Sequence, residues 1–421
     1  MEEAPKYVLG IDIGSENIRA VMAMLTKDGP SVTGHDSSES SGVRKGEIVS
    51  LNGAVTALDR VLSNVERMSG HTATAAVVSI NGVSVESLNI SGNIIVGDKD
   101  HKIDSLDIDR LQKNCMADKD LNNRKILEVI PIEYKLDGQS GIREPYGMTG
   151  IRLELMSGSV VSALEANVNN IYKVVEDMSS VEIQRIIPSV MAAAQAVLTE
   201  RQKEHGVAVI DLGAATTSVA VYDAGNLQCM FVVPIGAEMI TKDLANILEI
   251  DMDLAETVKR RFVDCAEFLK LSAGTEQNAE LEQKINKNIV IHKGSETIQV
   301  NKLEVNQKAT ERLLEIFEKV YSGLKYFGYD WRLPEGAVLV GGGANLKGVE
   351  KIAKEVMKIA IKIGTPKDLL GDSDPVSKPE YATAVGLMLS ASEFEETHPT
   401  ETSKSKKSSG NGLLAKLFKK F

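Results

Sequence analysis

Runs of apolar and polar residues divide the chain into alternating strands and helices. Apolar, β-branched runs predict buried strands within residues 8–23, 75–80, 183–188, 207–222 and 337–340. Amphipathic or small-residue spacing predicts helices over residues 54–68, 107–117, 162–178, 189–199, 237–248, 251–262, 303–326, 345–359 and 380–392. A Ser-rich stretch, residues 35–42, predicts a loop. The order of these elements indicates an α/β protein of two or more domains in 421 residues.

One strand–turn–strand pattern occurs twice. Residues 8–23 read VLGIDIGSENIRAVMA, and residues 207–222 read VAVIDLGAATTSVAVY. Each copy predicts a strand, a tight turn of small residues and a returning strand, and the two copies lie about 200 residues apart. The repeat predicts a duplicated domain with a cleft between its halves.

The two turns predict a phosphate site. Gly, Ala and Ser carry little side-chain bulk, so backbone N–H groups can approach an anion closely, and two facing turns could grip a polyphosphate. Asp12 and Asp211 end the first strand of each hairpin, where they could hold a hydrated Mg²⁺ or orient a water. Either copy alone could be an ordinary strand-end turn. The pair together favours the binding site.

A third glycine turn lies in residues 338–349, VLVGGGANLKGV. Its three glycines separate a buried strand from a predicted helix, so a flat ring or a phosphate could lie against bare backbone. Glu256 and Lys259 are three residues apart on one predicted helix, from which they could reach ribose hydroxyls and a purine. A solvated salt bridge within that helix is the alternative.

Residues 412–421, GLLAKLFKKF, combine an apolar helical stripe with lysines elsewhere on the helix. The stripe contains Leu413, Leu414, Leu417, Phe418 and Phe421, and the lysines are Lys416, Lys419 and Lys420. Anionic lipid contributes roughly 1 kcal/mol per nearby lysine, so the segment predicts reversible binding to a membrane surface rather than a span. A disordered basic tail or a helix docked on a partner is the alternative. The polar residues 393–411 predict a disordered linker.

Composition argues against one class of partner. Aromatic residues are 4% of the chain and the net charge is −11, so we expect no nucleic-acid surface.

The paired D-x-G hairpins and the strand–GGG–helix turn resemble the actin, Hsp70 and sugar-kinase superfamily. Within it the chain resembles the FtsA family of bacterial cell-division actin homologues. The most specific stretch is residues 130–155, IPIEYKLDGQSGIREPYGMTGIRLEL. It resembles that family's run of P-x-E-Y, D-G, P-x-G-M and R-L-E. The resemblance covers residues 6–392 and the tail.

The resemblance implies an actin-like ATPase fold of two lobes, each with a ribonuclease-H-like core, and an inserted α+β subdomain. The implied parts are a first lobe in residues 1–81 and 164–193, an insert in 82–163 and a second lobe in 194–239 and 302–392. The insert would serve self-contact and the recruitment of later division proteins. A smaller second-lobe subdomain, residues 240–301, would receive the C-terminal peptide of the ring protein FtsZ. The tail would place the filament on the inner membrane face at the division site.

The resemblance also implies an ATP and Mg²⁺ site, with Asp12 and Asp211 on the metal. The first phosphate turn would contain Gly14, Ser15, Glu16 and Asn17, and the second Gly213, Ala214, Ala215, Thr216 and Thr217, with Gly236 nearby. The nucleoside would contact Glu256, Lys259, Gly341, Gly342, Gly343 and Asn345. The family has Gly-Gly-Gly-Thr and then an acidic residue in the second turn, where this chain has Ala214, Ala215 and Ser218. These departures bear on hydrolysis more than on binding, and at most a weak ATPase is expected.

Two other classes of protein have the same fold. A cytoplasmic actin-like adaptor of type IV pilus assembly tolerates Ala in the second turn, but it leaves residues 130–155 and the tail without a role. A small-molecule kinase needs an acceptor-site base, for which the sequence offers no clear candidate.

Overall fold

Two sheets of the same topology form the frame of the chain. The computed structural model describes residues 5–97, 99–272, 286–293, 296–330 and 332–397. In chain order, the first sheet contains Tyr7–Ile13, Asn17–Thr26, Gly29–Glu39, Ala75–Ile80, Glu182–Pro188 and Leu370–Gly371. The second sheet contains Val207–Leu212, Thr217–Asp223, Asn226–Val233, Ala337–Val340 and Ile361–Ile363.

Each sheet is built in the same way. Its first three strands form an antiparallel meander, and the next two strands lie parallel to the first strand on its other side. The order in space is therefore third, second, first, fourth, fifth in both lobes, with Leu370–Gly371 added at the edge of the first sheet. The two-lobed α/β architecture predicted from the repeated hairpin is confirmed.

Helices cover these sheets because each buries one apolar stripe. In the helix Lys302–Tyr326, the side chains of Leu313, Phe317 and Val320 are fully buried against the second sheet's cluster. Burial of one such side chain contributes about 1.5–3 kcal/mol. The other helices of the two lobes are Leu51–Ser69, Glu165–Tyr172, Ser189–Val197, Glu200–His205, Val349–Met357 and Ala382–Thr397.

The Ala-rich helix Ser189–Val197 packs closely against the final helix, as its small side chains indicate. A Cβ on Gly386 would overlap the carbonyl oxygen of Ala192, so only glycine permits this approach. Leu387 and Met388 of the final helix are buried with Val8 and Val77 of the first sheet.

The insert is a separate four-stranded sheet with one helix. Its strands are Glu86–Ile95, Arg124–Leu136, Gln139–Ile142 and Arg152–Leu164, and its helix is Ser105–Met116. Asp104 caps that helix in a capping box with Asp107. Ser87 and Ser159 of the insert bond to the backbone of the second lobe's edge strand, so the insert contacts both lobes.

The described part of the second-lobe subdomain contains three helices and a hairpin. The helices are Glu238–Leu248, Met252–Phe262 and Cys265–Ser272, and the hairpin pairs Asn288–Lys293 with Glu296–Asn301. The helices in the described ranges all lack the length and the apolar run that a bilayer crossing needs.

Several predicted boundaries are wrong. Residues 35–42 are not all loop, since the strand Gly29–Glu39 pairs along its length with Asn17–Thr26. The predicted helix over 162–178 begins only after Leu164, because Arg152–Leu164 stays in the insert's sheet, and it ends in a π-helical turn, Lys173–Met178. The predicted helix over 345–359 begins at Val349, after a 3-10 turn, Gly342–Asn345.

The C-terminal part of the predicted second lobe, residues 302–392, is divided between the lobes. Leu370–Gly371 pairs with the first sheet, and Ala382–Thr397 packs on that sheet through its apolar side chains. This helix also includes the first five residues of the predicted disordered linker over 393–411. The remaining linker and the predicted membrane helix over 412–421 lie outside the described residues.

Candidate functional site

The two hairpin turns open onto one cleft between the lobes, with a volume of about 650 Å³ that includes its solvent-open mouth. The first hairpin contributes Asp12, Gly14, Ser15, Glu16, Asn17 and Arg19 to its lining, and the second contributes Asp211, Gly213, Ala214, Ala215, Thr216 and Ser218. Gly46, Asn81, Gly341, Gly342, Glu380 and Thr383 complete the lining. The repeated motif therefore forms one shared site.

The first turn is closed by its backbone and held to its lobe by a side chain. The backbone N–H of Gly14 bonds to the carbonyl of Asn17 at 3.1 Å, which closes the turn. The Oγ of Ser15 accepts the N–H of Gly46 at 2.7 Å, so the loop after the first sheet's third strand is held over the turn.

Asp12 is held by a neighbouring strand. The hydroxyl of Ser79 donates to Asp12 Oδ1 at 2.9 Å and accepts the N–H of Ile13 at 2.8 Å. Asn81 donates to the carbonyl of Ile13 at 3.3 Å. Parallel pairing of Tyr7–Ile13 with Ala75–Ile80 places these groups together.

The second turn is fixed by its backbone. Gly213 N–H bonds to the carbonyl of Thr216 at 3.0 Å, and the carbonyls of Gly213 and Ala214 accept N–H groups of the turn after Asn226–Val233. Thr217 donates to Ile235 O at 2.8 Å, and Gly236 lies so close to Ala214 that a Cβ would clash. Thr217 and Gly236 thus support the turn from behind instead of lining the cleft.

The two carboxyl groups differ in their partners. Burial raises the pKa of Asp12, and Arg19, Ser79 and Asn81 act in the opposite direction. Burial, together with the nearby Asp12 charge, raises the pKa of Asp211 to about 7. Within the described ranges the Asp211 carboxylate has no hydrogen-bond partner, and the Arg19 charge is what acts in the opposite direction. Asp211 therefore changes its charge near neutral pH.

Arg19 is the cation that lines this cleft in the described structure. It lies opposite Asp12 in the hairpin, so both side chains are on one face. Its guanidinium lies over the ring of Tyr381 at 5.7 Å, and its Nε is buried with no hydrogen-bond partner. A buried donor without a partner is costly, and an anionic ligand in the cleft would supply one.

Only part of the third glycine turn reaches the cleft. Gly341 and Gly342 line it, and Gly341 has a φ of 85°, which favours glycine. Gly343 is packed against Leu212, and Asn345 donates to Glu380 Oε2 at 2.9 Å. Glu380 does line the cleft, so Asn345 acts on the site through Glu380.

Glu256 and Lys259 form a buried pair that is absent from the cleft lining described above. Lys259 is 6% exposed, and its Nζ lies 2.6 Å from Glu256 Oε2 and 2.8 Å from Thr241 Oγ1. Against the cost of burial, Lys259, Thr241 and Arg260 hold the pKa of Glu256 below its ordinary value. The two side chains do form a salt bridge within one helix, as the alternative has it, but Lys259 is buried rather than solvated.

A metal in the cleft would rest on two carboxylates. Among the described residues no third His, Cys, Asp or Glu gathers with Asp12 and Asp211 into a ligand cluster. Two carboxylates and several waters suit Mg²⁺, which keeps much of its hydration shell.

Sequence reasoning missed several residues of the cleft. They are Arg19, Gly46, Asn81, Ser218, Glu380 and Thr383 in the lining, and Ser79 beside Asp12. A signal existed for two of them. Arg19 is placed opposite Asp12 by the hairpin register, and Ser79 lies near the end of a strand that pairs in parallel with the first.

Solved structures with the same architecture define the class. The chain matches a structure of the PilM-PilN type IV pilus biogenesis complex with a TM-score of 0.65 and 14% identity, covering 91% of this chain and 98% of that one. It matches MreB 5 of Spiroplasma citri bound to AMPPNP with a TM-score of 0.53 and 12% identity, covering 93% and 98%. Two like lobes around one cleft give the chain the actin-like fold.

Sequence comparisons identify the family. The family model "Cell division protein FtsA" matches residues 208–386, and "SHS2 domain inserted in FTSA" matches residues 82–161. The cell division protein FtsA of Pseudomonas aeruginosa is 31% identical over 399 residues, covering 92% of this chain and 89% of the relative. That of Neisseria meningitidis is 31% identical over 422 residues, covering 99% and 98%. The chain belongs to the FtsA family of cell-division proteins, and the predicted resemblance is confirmed.

Proposed function

We propose that this chain is an ATP-binding, filament-forming adaptor that tethers the FtsZ ring to the inner membrane face and recruits later division proteins. One observation carries the nucleotide part: both D-x-G turns line the same cleft, together with Asp12, Asp211 and Arg19. Membership of the FtsA family supports the division role.

The triphosphate would lie between the turns. Backbone N–H groups of Ser15 to Asn17 and of Ala214 to Thr216 would face its oxygens, and Arg19 would offer its unpaired Nε. Asp12 and Asp211 would hold Mg²⁺ through water. The AMPPNP found in the related MreB structure supports a nucleotide as the ligand.

The nucleoside would lie against Gly341 and Gly342, where no side chain intervenes. Glu256 and Lys259 would support this end through Thr241 and the turn at Ala237, whose carbonyl lies 3.4 Å from Lys259 Nζ. At most weak hydrolysis is expected, because Ala214, Ala215 and Ser218 leave the second turn without an added carboxylate.

The partner sites remain those that the family implies. Apolar side chains on the second-lobe subdomain support a peptide site there, since Ile247, Met252 and Val290 are each at least 40% exposed. The insert would make self-contacts and recruit later division proteins. The apolar stripe of residues 412–421 would bind anionic lipid.

The tether is tested by sedimentation with vesicles. FtsZ should pellet with anionic vesicles and Mg-ATP only when the full chain is present. Deleting Gly412–Phe421 should leave both proteins in the supernatant, and FtsZ without its C-terminal peptide should not pellet. FtsZ recovery that is unchanged by the deletion would contradict the anchor. Recovery that is unchanged by peptide removal would contradict the proposed contact.

A further inference from the structure

A series of ion pairs connects the first phosphate turn with the second lobe. Arg260 donates from Nη2 to Glu16 Oε1 at 2.7 Å and from Nε to Glu256 Oε1 at 2.7 Å. Glu16 belongs to the turn between Tyr7–Ile13 and Asn17–Thr26, whereas Arg260 lies on the helix Met252–Phe262. The contact therefore joins residues 244 positions apart, on opposite lobes.

Glu256 and Glu16, at the two ends of this series of ion pairs, are each held within their own lobe by further contacts. On the second lobe, the other oxygen of Glu256 accepts from Lys259 at 2.6 Å and from Thr241 at 2.5 Å. On the first lobe, the carbonyl of Glu16 accepts the N–H of Ser40 at 2.8 Å. A movement that parts the lobes at this point must break the bond between Arg260 and Glu16.

Arg260 also neutralises the negative charge of Glu16. Its carboxylate lines the cleft where the triphosphate is proposed to bind, and an unpaired negative charge there would repel phosphate. The guanidinium neutralises it while it also bonds to Glu256. An ammonium group lacks the fixed fork that bridges two carboxylates, so arginine suits this place better than lysine.

We propose that Arg260 is a positioning residue that holds the first phosphate turn against the second lobe and keeps this side of the cleft closed. This closure of the cleft does not depend on whether a nucleotide binds. Only its consequence for ligand release rests on the proposed nucleotide site.

The expected effect is moderate because the pair is reached by solvent. The side chains of Arg260 and Glu16 are 63% and 38% exposed. Exposed ion pairs contribute little and are screened by salt, so breaking this one should change the opening equilibrium about two- to fivefold.

Hydrogen exchange tests the closure without any ligand. Arg260→Gln and Glu16→Gln should each speed the exchange of the backbone amides in residues 14–17 and 40–46 about two- to fivefold. The double variant Glu16→Gln with Arg260→Gln should add nothing further, because both single changes break the same pair. Lys242→Gln is the matched control, since it breaks an exposed 2.7 Å pair with Glu238 inside one helix of the same subdomain. Exchange that is unchanged in both single variants, or equally raised in the control, would overturn the proposal.

Ligand release provides the second readout. A fluorescent ATP analogue should dissociate about two- to fivefold faster from Arg260→Gln, and Arg260→Lys should recover part of the difference. Added salt should speed release from the unaltered chain and have less effect on Arg260→Gln. An equal salt response in the two would contradict the positioning role. If the unaltered chain binds no nucleotide, the proposed function fails, and the exchange experiment still decides the closure.

Discussion

The two D-x-G hairpins share a sequence pattern, a register and a place in their sheets, yet they are held in different ways. Side chains fix the first turn, through Ser15 and Gly46 within its lobe and through Glu16 and Arg260 across the cleft. The second turn has alanines at the matching positions, and its backbone carbonyls bond to the turn that precedes Glu238–Leu248. The two halves of the site share the same shape, but different hydrogen bonds hold them in place.

The aspartates show the same divergence. Asp12 accepts a hydrogen bond from Ser79, whereas the Asp211 carboxylate has no such partner in the described structure. The charged form of Asp12 is therefore better stabilised, and Asp211 bears most of the cost of placing two carboxylates near each other. We expect a cation that enters the cleft to favour the charged form of Asp211, whose raised pKa reflects burial and the nearby Asp12 charge.

The largest expected contrast lies in the two turn glycines. A Cβ on Gly14 would lie 2.5 Å from the carbonyl oxygen of Asn17, but a Cβ on Gly213 would lie 3.0 Å from that of Thr216. Gly14→Ala should lower the free energy of unfolding by about 2–3 kcal/mol, and Gly213→Ala by less than about 1 kcal/mol. Urea denaturation monitored by circular dichroism measures both. Equal losses would mean that the turns are equivalent after all.

The second contrast concerns magnesium-dependent binding. Asp211→Ala should weaken Mg-ATP binding ten- to a hundredfold, about 1.4–2.8 kcal/mol, because a carboxylate that would hold the metal is lost. Binding without Mg²⁺ should be nearly unchanged, since removing a negative charge does not harm contacts to phosphate. Calorimetric titration with and without the metal separates the two. An Mg-ATP affinity that is unaltered by the substitution counts against the site.

The third contrast is a pH dependence. Asp211 has a raised pKa in the folded chain, so the unfolded chain loses its proton more readily. The stability of the nucleotide-free chain should therefore fall as the pH rises from about 4 to about 7. Because Asp211 is partly exposed, we expect a loss of about 1–2 kcal/mol between pH 5 and pH 8 relative to Asp211→Asn. If the stability of the unaltered chain and of Asp211→Asn changed with pH in the same way, Asp211 would not be protonated in the empty cleft.

The smallest contrast is a single hydrogen bond. Ser15→Ala removes the acceptor for Gly46 N–H and should cost about 0.5–1.5 kcal/mol. Ala214→Ser, the reverse change in the second turn, should stay within about 0.5 kcal/mol, because that turn is already held by its backbone. Thermal unfolding of the two variants provides the comparison. A larger loss for Ala214→Ser would reverse the assignment of supports.

Local pattern predicted the repeated parts of the fold well. The strand Ala75–Ile80 and the second hairpin have the predicted bounds, because their apolar runs end at strong turn residues. The loop predicted over 35–42 failed for a tertiary reason. Its serines favour turns locally, but pairing with Asn17–Thr26 gives their backbone groups partners in the sheet, and Ser38 is buried there.

The site was predictable only where the sequence repeats. Asp12, Asp211 and their turns follow from the two motifs, whereas Asn81 reaches the cleft and Ser79 reaches Asp12 only because a parallel strand lies beside the first. Glu256 and Lys259 were predicted to face the nucleoside, but their mutual attraction and Thr241 hold Lys259 in the subdomain core. Helix spacing placed them on one face and could not tell which surroundings that face meets.

The central claim is that both hairpins bind one nucleotide. A crystal structure of the chain with Mg²⁺ and a non-hydrolysable ATP analogue tests it most directly. We predict one analogue per chain, with its phosphates within hydrogen-bond distance of backbone N–H groups in both turns and a metal between Asp12 and Asp211. A nucleotide bound to one turn alone, or at a place outside the cleft, would contradict the account.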